Sequence, residues 1–185
     1  MKALVVYANG SEDIEVNAPA DILVRGGVAV TRAALAPAGE QVTLAHGTRV
    51  LCDVNLEQVK GESFDVIVIP GGLQGSENCR DSATLIAMLK AQKAAGRYIA
   101  AICAAPGFVL ATHGIIDDSV QATGYPGCAD NIKNYVTDGV VVDAKAKIIT
   151  GQGPAFSLPF GYAILEALQG TEVCAKVKAG MLYKD

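Results

Sequence analysis

The feature that most constrains this chain is a set of short, unbroken apolar runs, KALVVYA, FDVIVIP and RYIAAI, separated by stretches with helical spacing. A strand with one wet face alternates apolar and polar residues. VVY, VIVI and IAAI do not alternate, so they read as strands buried on both sides. SEDIEVNAPADILVRGG and SATLIAMLKAQKAAG carry the apolar spacing of helices, and VAVTRAAL follows the first of them as a further strand. This order predicts an α/β fold with a mostly parallel central sheet and helices on both faces. LAHGTRVLC and VVVDAKAKIIT are predicted as hairpins at a sheet edge.

Glycines at 26–27, 96, 114 and 170 each follow a periodic stretch and mark helix ends, where the left-handed cap favours glycine. Pro19 and Pro159 fall inside predicted helices and are expected to kink or restart them, since proline removes a backbone donor. The segment TEVCAKVKAGMLYKD is expected to form one more amphipathic helix and a tail over 171–185, a common place for docking or dimer contacts.

A chain of 185 residues suits one domain over 1–185, and 51% hydrophobic with 18% charged residues is a globular balance with a large core. The net charge of -4, with no basic cluster, gives a phosphate backbone or an anionic membrane surface nothing to bind. ALVVYA is far shorter than the roughly 20 residues of a membrane span and has no cleavage pattern behind it, so a cytoplasmic location is expected. The five cysteines, Cys52, Cys79, Cys103, Cys128 and Cys174, are odd in number and contain no C-x-x-C pair. They are expected to be reduced thiols, with no metal site.

Cys103 ends the run RYIAAI and precedes AAPGFVLATH, a predicted helix with Pro106 in its first turn. A strand-to-helix elbow lifts a nucleophile to the carboxyl edge of a parallel sheet, and a helix N-terminus lowers a thiol from about 8.5 toward roughly 6. A small buried apolar residue fits the same position. In VIVIPGGLQGSENC, Gly71 and Gly72 either expose backbone N–H groups to a developing oxyanion or simply make a tight turn. The loop lacks the lysine of a phosphate-binding loop.

A Cys-His pair is unsupported. His113 lies ten residues along the same predicted helix, about 15 Å from Cys103, and His46 falls in a hairpin turn. Glu12, Asp13 and Glu15 occupy a first helical turn, where acids are favoured for dipole reasons alone. That turn nevertheless leaves the sheet at the same edge as Cys103 and Gly72, so a glutamate there can meet the sulfur. Cys79 is a candidate second thiol near the site mouth, while Cys52, Cys128 and Cys174 are read as structural or incidental.

GSEDIE, DVIVIPGG, AAICAAP and GQGPAFSLPFGYAILEALQG, in this order and spacing, resemble the ThiJ/PfpI superfamily, in the branch of the Parkinson-disease-associated protein deglycase and bacterial YajL. The resemblance covers essentially the whole chain. It implies a flavodoxin-like three-layer α/β sandwich, usually a homodimer, with an oxidation-prone nucleophile at Cys103. It further implies a protonated Glu15 hydrogen-bonded to that sulfur, backbone donors at Gly72 and Ala104, substrate-binding residues at Tyr125 and Pro154, and Arg25 at the dimer or pocket rim. No organic cofactor or metal is implied.

Departures are equally specific. Ala104 stands where family proteases carry a histidine, which disfavours proteolysis. Tyr125-Pro126 replaces a histidine-proline pair of the human deglycase. Gly153-Pro154-Ala155-Phe156 replaces G-P-G-T, and Gln152 replaces a basic residue. The activity implied is glyoxalase or deglycase chemistry on methylglyoxal, glyoxal or their early adducts through a hemithioacetal at Cys103. The alternative is a non-enzymatic redox sensor or chaperone acting through Cys103 oxidation. A role in thiazole monophosphate synthesis, an older label for relatives, lacks a phosphate cradle.

Overall fold

The computed structural model describes residues 1–35 and 39–184. Its main sheet has seven strands: β1 (Lys2–Ala8), β2 (Ala29–Leu35), β5 (Val54–Asn55), β6 (Val66–Ile69), β7 (Tyr98–Ile102), β8 (Val140–Asp143) and β9 (Ile148–Gly151). Their order is β5-β2-β1-β6-β7-β9-β8. Every neighbouring pair is parallel except the β8–β9 hairpin, which forms one edge as expected. The other predicted hairpin is not part of this edge. β3 (Gln41–Thr43) and β4 (Arg49–Leu51) make a separate antiparallel pair.

Strand residues alternate between two cores, as the two-residue period of a strand requires. Leu4, Val6, Ile67, Ile69, Ile99 and Ala101 face one cluster, which includes Leu85 and Leu89. Val5, Tyr7, Val66, Val68, Ala100 and Ile102 face the other, with Val16, Ile22, Phe160 and Leu165. The first cluster is covered by α4 (Ala83–Ala94) and the second by α1 (Asp13–Arg25) and α5 (Ser157–Gln169). The result is the expected three-layer α/β arrangement.

The prolines restart neither helix. Pro159 lies in the first turn of α5, where its missing N–H costs nothing, and α1 runs on through Pro19. Pro19 cannot donate to the carbonyl of Glu15, four residues earlier. The glycine-rich segment after β6 is more ordered than its sequence suggests, because it opens α3 (Leu73–Asp81). A short α2 (Leu56–Val59) precedes β6, and α6 (Thr171–Gly180) ends the described fold. Asp185, the end of the expected tail, lies outside the described residues.

Candidate active site

Three loops at the carboxyl ends of β1, β6 and β7 meet at one point, as open parallel sheets favour. Cys103 immediately follows β7 with φ 64°, one of three described non-glycine residues at positive φ. Such a conformation costs on the order of 1–3 kcal/mol and persists only when neighbours enforce it. Here the Cys103 N–H donates to the Gly151 carbonyl at 2.9 Å, and its own carbonyl accepts from the Tyr125 N–H at 2.7 Å. The elbow is therefore clamped on both sides, and Cys103 as a residue is only 8% exposed.

The segment beyond Cys103 is not the regular α-helix expected. It is a short π-helix, Pro106–Ala111, in which the Thr112 N–H reaches back to Gly107 and the Ile115 N–H to Leu110. The backbone groups that act on the sulfur are the N–H of Ala104 and, from a different loop, the N–H of Gly72.

Glu15 is wholly buried in the first turns of α1. Its placement begins at Glu12, the N-cap, whose Oε2 accepts from the Ile14 and Glu15 N–H groups at 2.9 and 2.8 Å. Glu15 Oε2 accepts from the Gly71 N–H at 2.9 Å. Its Oε1 is buried with no hydrogen-bond partner among the described residues, and the carboxyl and the Cys103 thiol are close enough that each shifts the other's ionisation.

Both glycines of the PGG turn are structural necessities. A Cβ on Gly71 would lie 2.5 Å from both Cys103 Cβ and Glu15 Oε2. A Cβ on Gly72 would lie 2.3 Å from the Gly10 carbonyl, and Gly72 has φ 79°.

The electrostatics differ from a simple helix-terminus thiolate. Burial raises Glu15 to about 7, helped by the negative charge of Glu12 and opposed by hydrogen bonds with Cys103 and Gly71. Burial and the Glu15 carboxylate push Cys103 up to about 12, against the Gly72 and Ala104 N–H groups. The physical content is a pair that cannot readily carry two negative charges. Glu15 gives up its proton near neutrality, and the Cys103 thiol keeps its own well above that pH. The pair therefore places a buried carboxylate base beside a buried thiol.

Tyr125, half exposed, and Pro154 line a neighbouring hollow of about 240 Å³. Arg25 is elsewhere. It lies at the opposite end of α1, paired with Asp21 at 2.7 Å, and lines a separate hollow together with Val173, Lys176 and Val177 of α6. Asp13 accepts from the His46 N–H, and the exposed His46 ring is 3.7 Å from Glu12 Oε1. The His113 ring is hydrogen-bonded to the Arg80 carbonyl, away from the sulfur.

Cys79 is not a second thiol at the mouth. It is fully buried on α3, and desolvation pushes it up to about 12. Gly151 and the Gly124–Tyr125 backbone, which hold the elbow, escaped sequence reading because carbonyl and N–H partners leave no side-chain signal.

Fold and site together define a class: open parallel α/β proteins with a strained cysteine elbow facing a buried glutamate. The model of the DJ-1/PfpI family matches residues 1–167. Protein dj-1beta of Drosophila melanogaster is 40% identical, over 97% of this chain and 96% of its own. The glutathione-independent glyoxalase DJR-1.2 of Caenorhabditis elegans is 37% identical, over 88% and 85% of the two chains. The solved structure of oxidized Toxoplasma gondii DJ-1 superposes with a TM-score of 0.94 at 39% identity, covering 100% of this chain and 99% of that one. This chain belongs to the DJ-1/PfpI family, which bears out the resemblance carried by its four motifs. None of the described helices is long and apolar enough to cross a membrane.

Proposed function

We propose that this protein is a cysteine-dependent enzyme of carbonyl-stress defence that converts 2-oxoaldehydes to 2-hydroxy acids, acting in the cytoplasm as a homodimer. The observation that carries the reading is the buried Glu15 carboxyl, held by the Gly71 N–H and coupled to the Cys103 thiol. Sulfur attacks the aldehyde carbon, the carbonyl electron pair moves to oxygen, and that oxygen takes the pair's proton to give a hemithioacetal. The Gly72 and Ala104 N–H groups are the donors available to the developing oxyanion.

The Glu15 carboxylate then removes the hydrogen on the former aldehyde carbon and returns it to the adjacent carbon through an enediol. A thioester remains, and water releases the 2-hydroxy acid and the Cys103 thiol. The balance is one dicarbonyl plus one water to one hydroxy acid. No outside reductant or oxidant is consumed. The glyoxalase name of the nematode relative supports this reading, and early adducts of the same aldehydes on protein or nucleotide are a further substrate class.

A second reading rests on the Toxoplasma relative, whose structure was solved oxidized. In it, Cys103 is oxidised by a peroxide to sulfenic and then sulfinic acid, with the Glu15 O–H donating to the oxidised sulfur. Lactate production from methylglyoxal by reduced wild type against Cys103→Ala separates the two. Lactate from wild type alone supports the enzyme, and its absence from folded, fully reduced protein leaves the sensor.

A further inference from the structure

A hollow of about 310 Å³ lies at the opposite end of the sheet from Cys103. Gly96, just before β7, and Lys145 to Lys147, just before β9, form part of its wall. β7 runs five residues from Tyr98 to Ile102, so its amino end is roughly 16 Å from the cysteine elbow at about 3.3 Å per residue. Open parallel sheets bind their usual ligands at the carboxyl ends of the strands. A hollow at the amino ends stands apart from that site.

Its charged lining is Lys93, Lys145, Lys147, Asp117 and Asp143. Lys93 is remote in sequence from the other two lysines, so only the fold assembles the group. Both aspartates are engaged in holding the walls. Asp117 Oδ1 accepts from the Ser119 N–H at 3.0 Å and from its hydroxyl at 2.6 Å. Asp143 accepts from the Ala146 N–H at 2.9 Å and from the Gln121 N–H at 3.3 Å. The last bond ties the segment after the π-helix to the β8–β9 turn, which fixes the two walls against each other.

The lysines keep donors to offer. Lys93 Nζ donates to the Gly114 carbonyl at 3.2 Å and lies 3.7 Å from Asp117 Oδ2. Lys147 Nζ sits 4.7 Å from the centre of the Tyr98 ring. Lys145 is exposed and has no hydrogen bond or ion pair among the described residues. Three cations against two anions leave a positive excess here, on a chain whose formal net charge is -4. Ile115, Val120 and Ala146 add an apolar surface to the same hollow. Its volume is at the lower end of the roughly 300–1,000 Å³ of ligand pockets.

We propose that this hollow binds a small organic dianion, a phosphate ester or a dicarboxylate on a short carbon skeleton. The charged groups meet the lysine amines, which bind anions as point charges without a fixed fork geometry. The carbons meet Ile115, Val120 and Ala146. The site is independent of the dicarbonyl reading, because neither Cys103 nor Glu15 lines it.

The test is calorimetric titration of the reduced protein with glycerol 3-phosphate, succinate, inorganic phosphate and lactate. Either organic dianion should bind at least severalfold more tightly than lactate or inorganic phosphate, and salt at about 0.5 M should weaken it severalfold through screening. Lys145→Glu, at an exposed position that leaves the fold intact, should weaken binding about tenfold or more, and Lys93→Met about fivefold. Cys103→Ala should bind as wild type does. Binding of one organic dianion and not the other sustains the site and fixes its anionic group. No binding of either, binding unchanged in both lysine variants, inorganic phosphate bound as tightly as the ester, or binding lost in Cys103→Ala each overturns the proposal.

Discussion

The Gly71 N–H donates to Glu15 Oε2 at 2.9 Å, joining the turn after β6 to the first turns of α1 and leaving Oε1 buried with no hydrogen-bond partner among the described residues. A side chain at Gly71 would occupy the space between the two reactive groups. Gly71→Ala is expected to cost about 1–3 kcal/mol through overpacking. It should also slow Cys103 alkylation severalfold at neutral pH. Urea denaturation and peptide-resolved alkylation check the two effects.

The ionisation of Glu15 sets the pH dependence of reactivity. Glu15 ionises at about 7 and its carboxylate is the base that takes the thiol proton as the sulfur attacks, so Cys103 alkylation should rise through that pH although burial and the same carboxylate push the free ionisation of the thiol up to about 12. In Glu15→Gln the carboxylate base is absent, and reactivity at neutral pH should fall at least tenfold with the rise moved to higher pH. A wild-type profile like that of a free thiol would contradict the pairing.

Stability should carry the opposite signature. Glu15 is raised from 4.5 to about 7, so the folded state binds its proton more tightly than the unfolded state does. Its contribution is fully present below pH 4.5 and is lost as pH rises through about 7, amounting to about 3 kcal/mol. Glu15→Gln should flatten that part of the stability–pH curve. Denaturation midpoints measured from pH 4 to 8 decide the matter.

Glu12 acts on Glu15 twice, by capping its N–H and by opposing its ionisation. Glu12→Gln retains an acceptor for the cap and removes the charge, so the alkylation profile of Cys103 should move to lower pH with little loss of stability. Glu12→Ala should in addition cost about 1 kcal/mol through the lost cap. A profile that does not move in Glu12→Gln would show that the cap alone matters.

The remaining thiols should separate by burial. Cys128 is partly exposed, whereas Cys79 is fully buried in the core. Iodoacetamide should label Cys128 in the native protein and Cys79 only after unfolding, as peptide-resolved mass spectrometry would show.

Much of this was legible in the amino-acid order. Unbroken runs such as VIVI declared strands covered on both faces, and their alternation with helices led to the parallel sheet. Cys103 and Glu15 were both legible as candidates, because parallel strands deliver their following loops to one edge. The LAHGTRVLC hairpin was legible as a hairpin and not as to its place, since which sheet a hairpin joins depends on partners distant in sequence.

What the sequence by itself determined was therefore the layer architecture and the place of Cys103 at the end of a buried strand, both of which follow from local periodicity, while Glu15 was set apart from Glu12 and Asp13 only by the family resemblance. Only the tertiary structure decided the electrostatic state of the pair, the clamp of Gly151 and Tyr125 on the Cys103 backbone, and the burial of Cys79. Each depends on how many atoms from remote segments crowd one point. Desolvation and backbone hydrogen bonding are properties of that crowding, and no residue carries them alone.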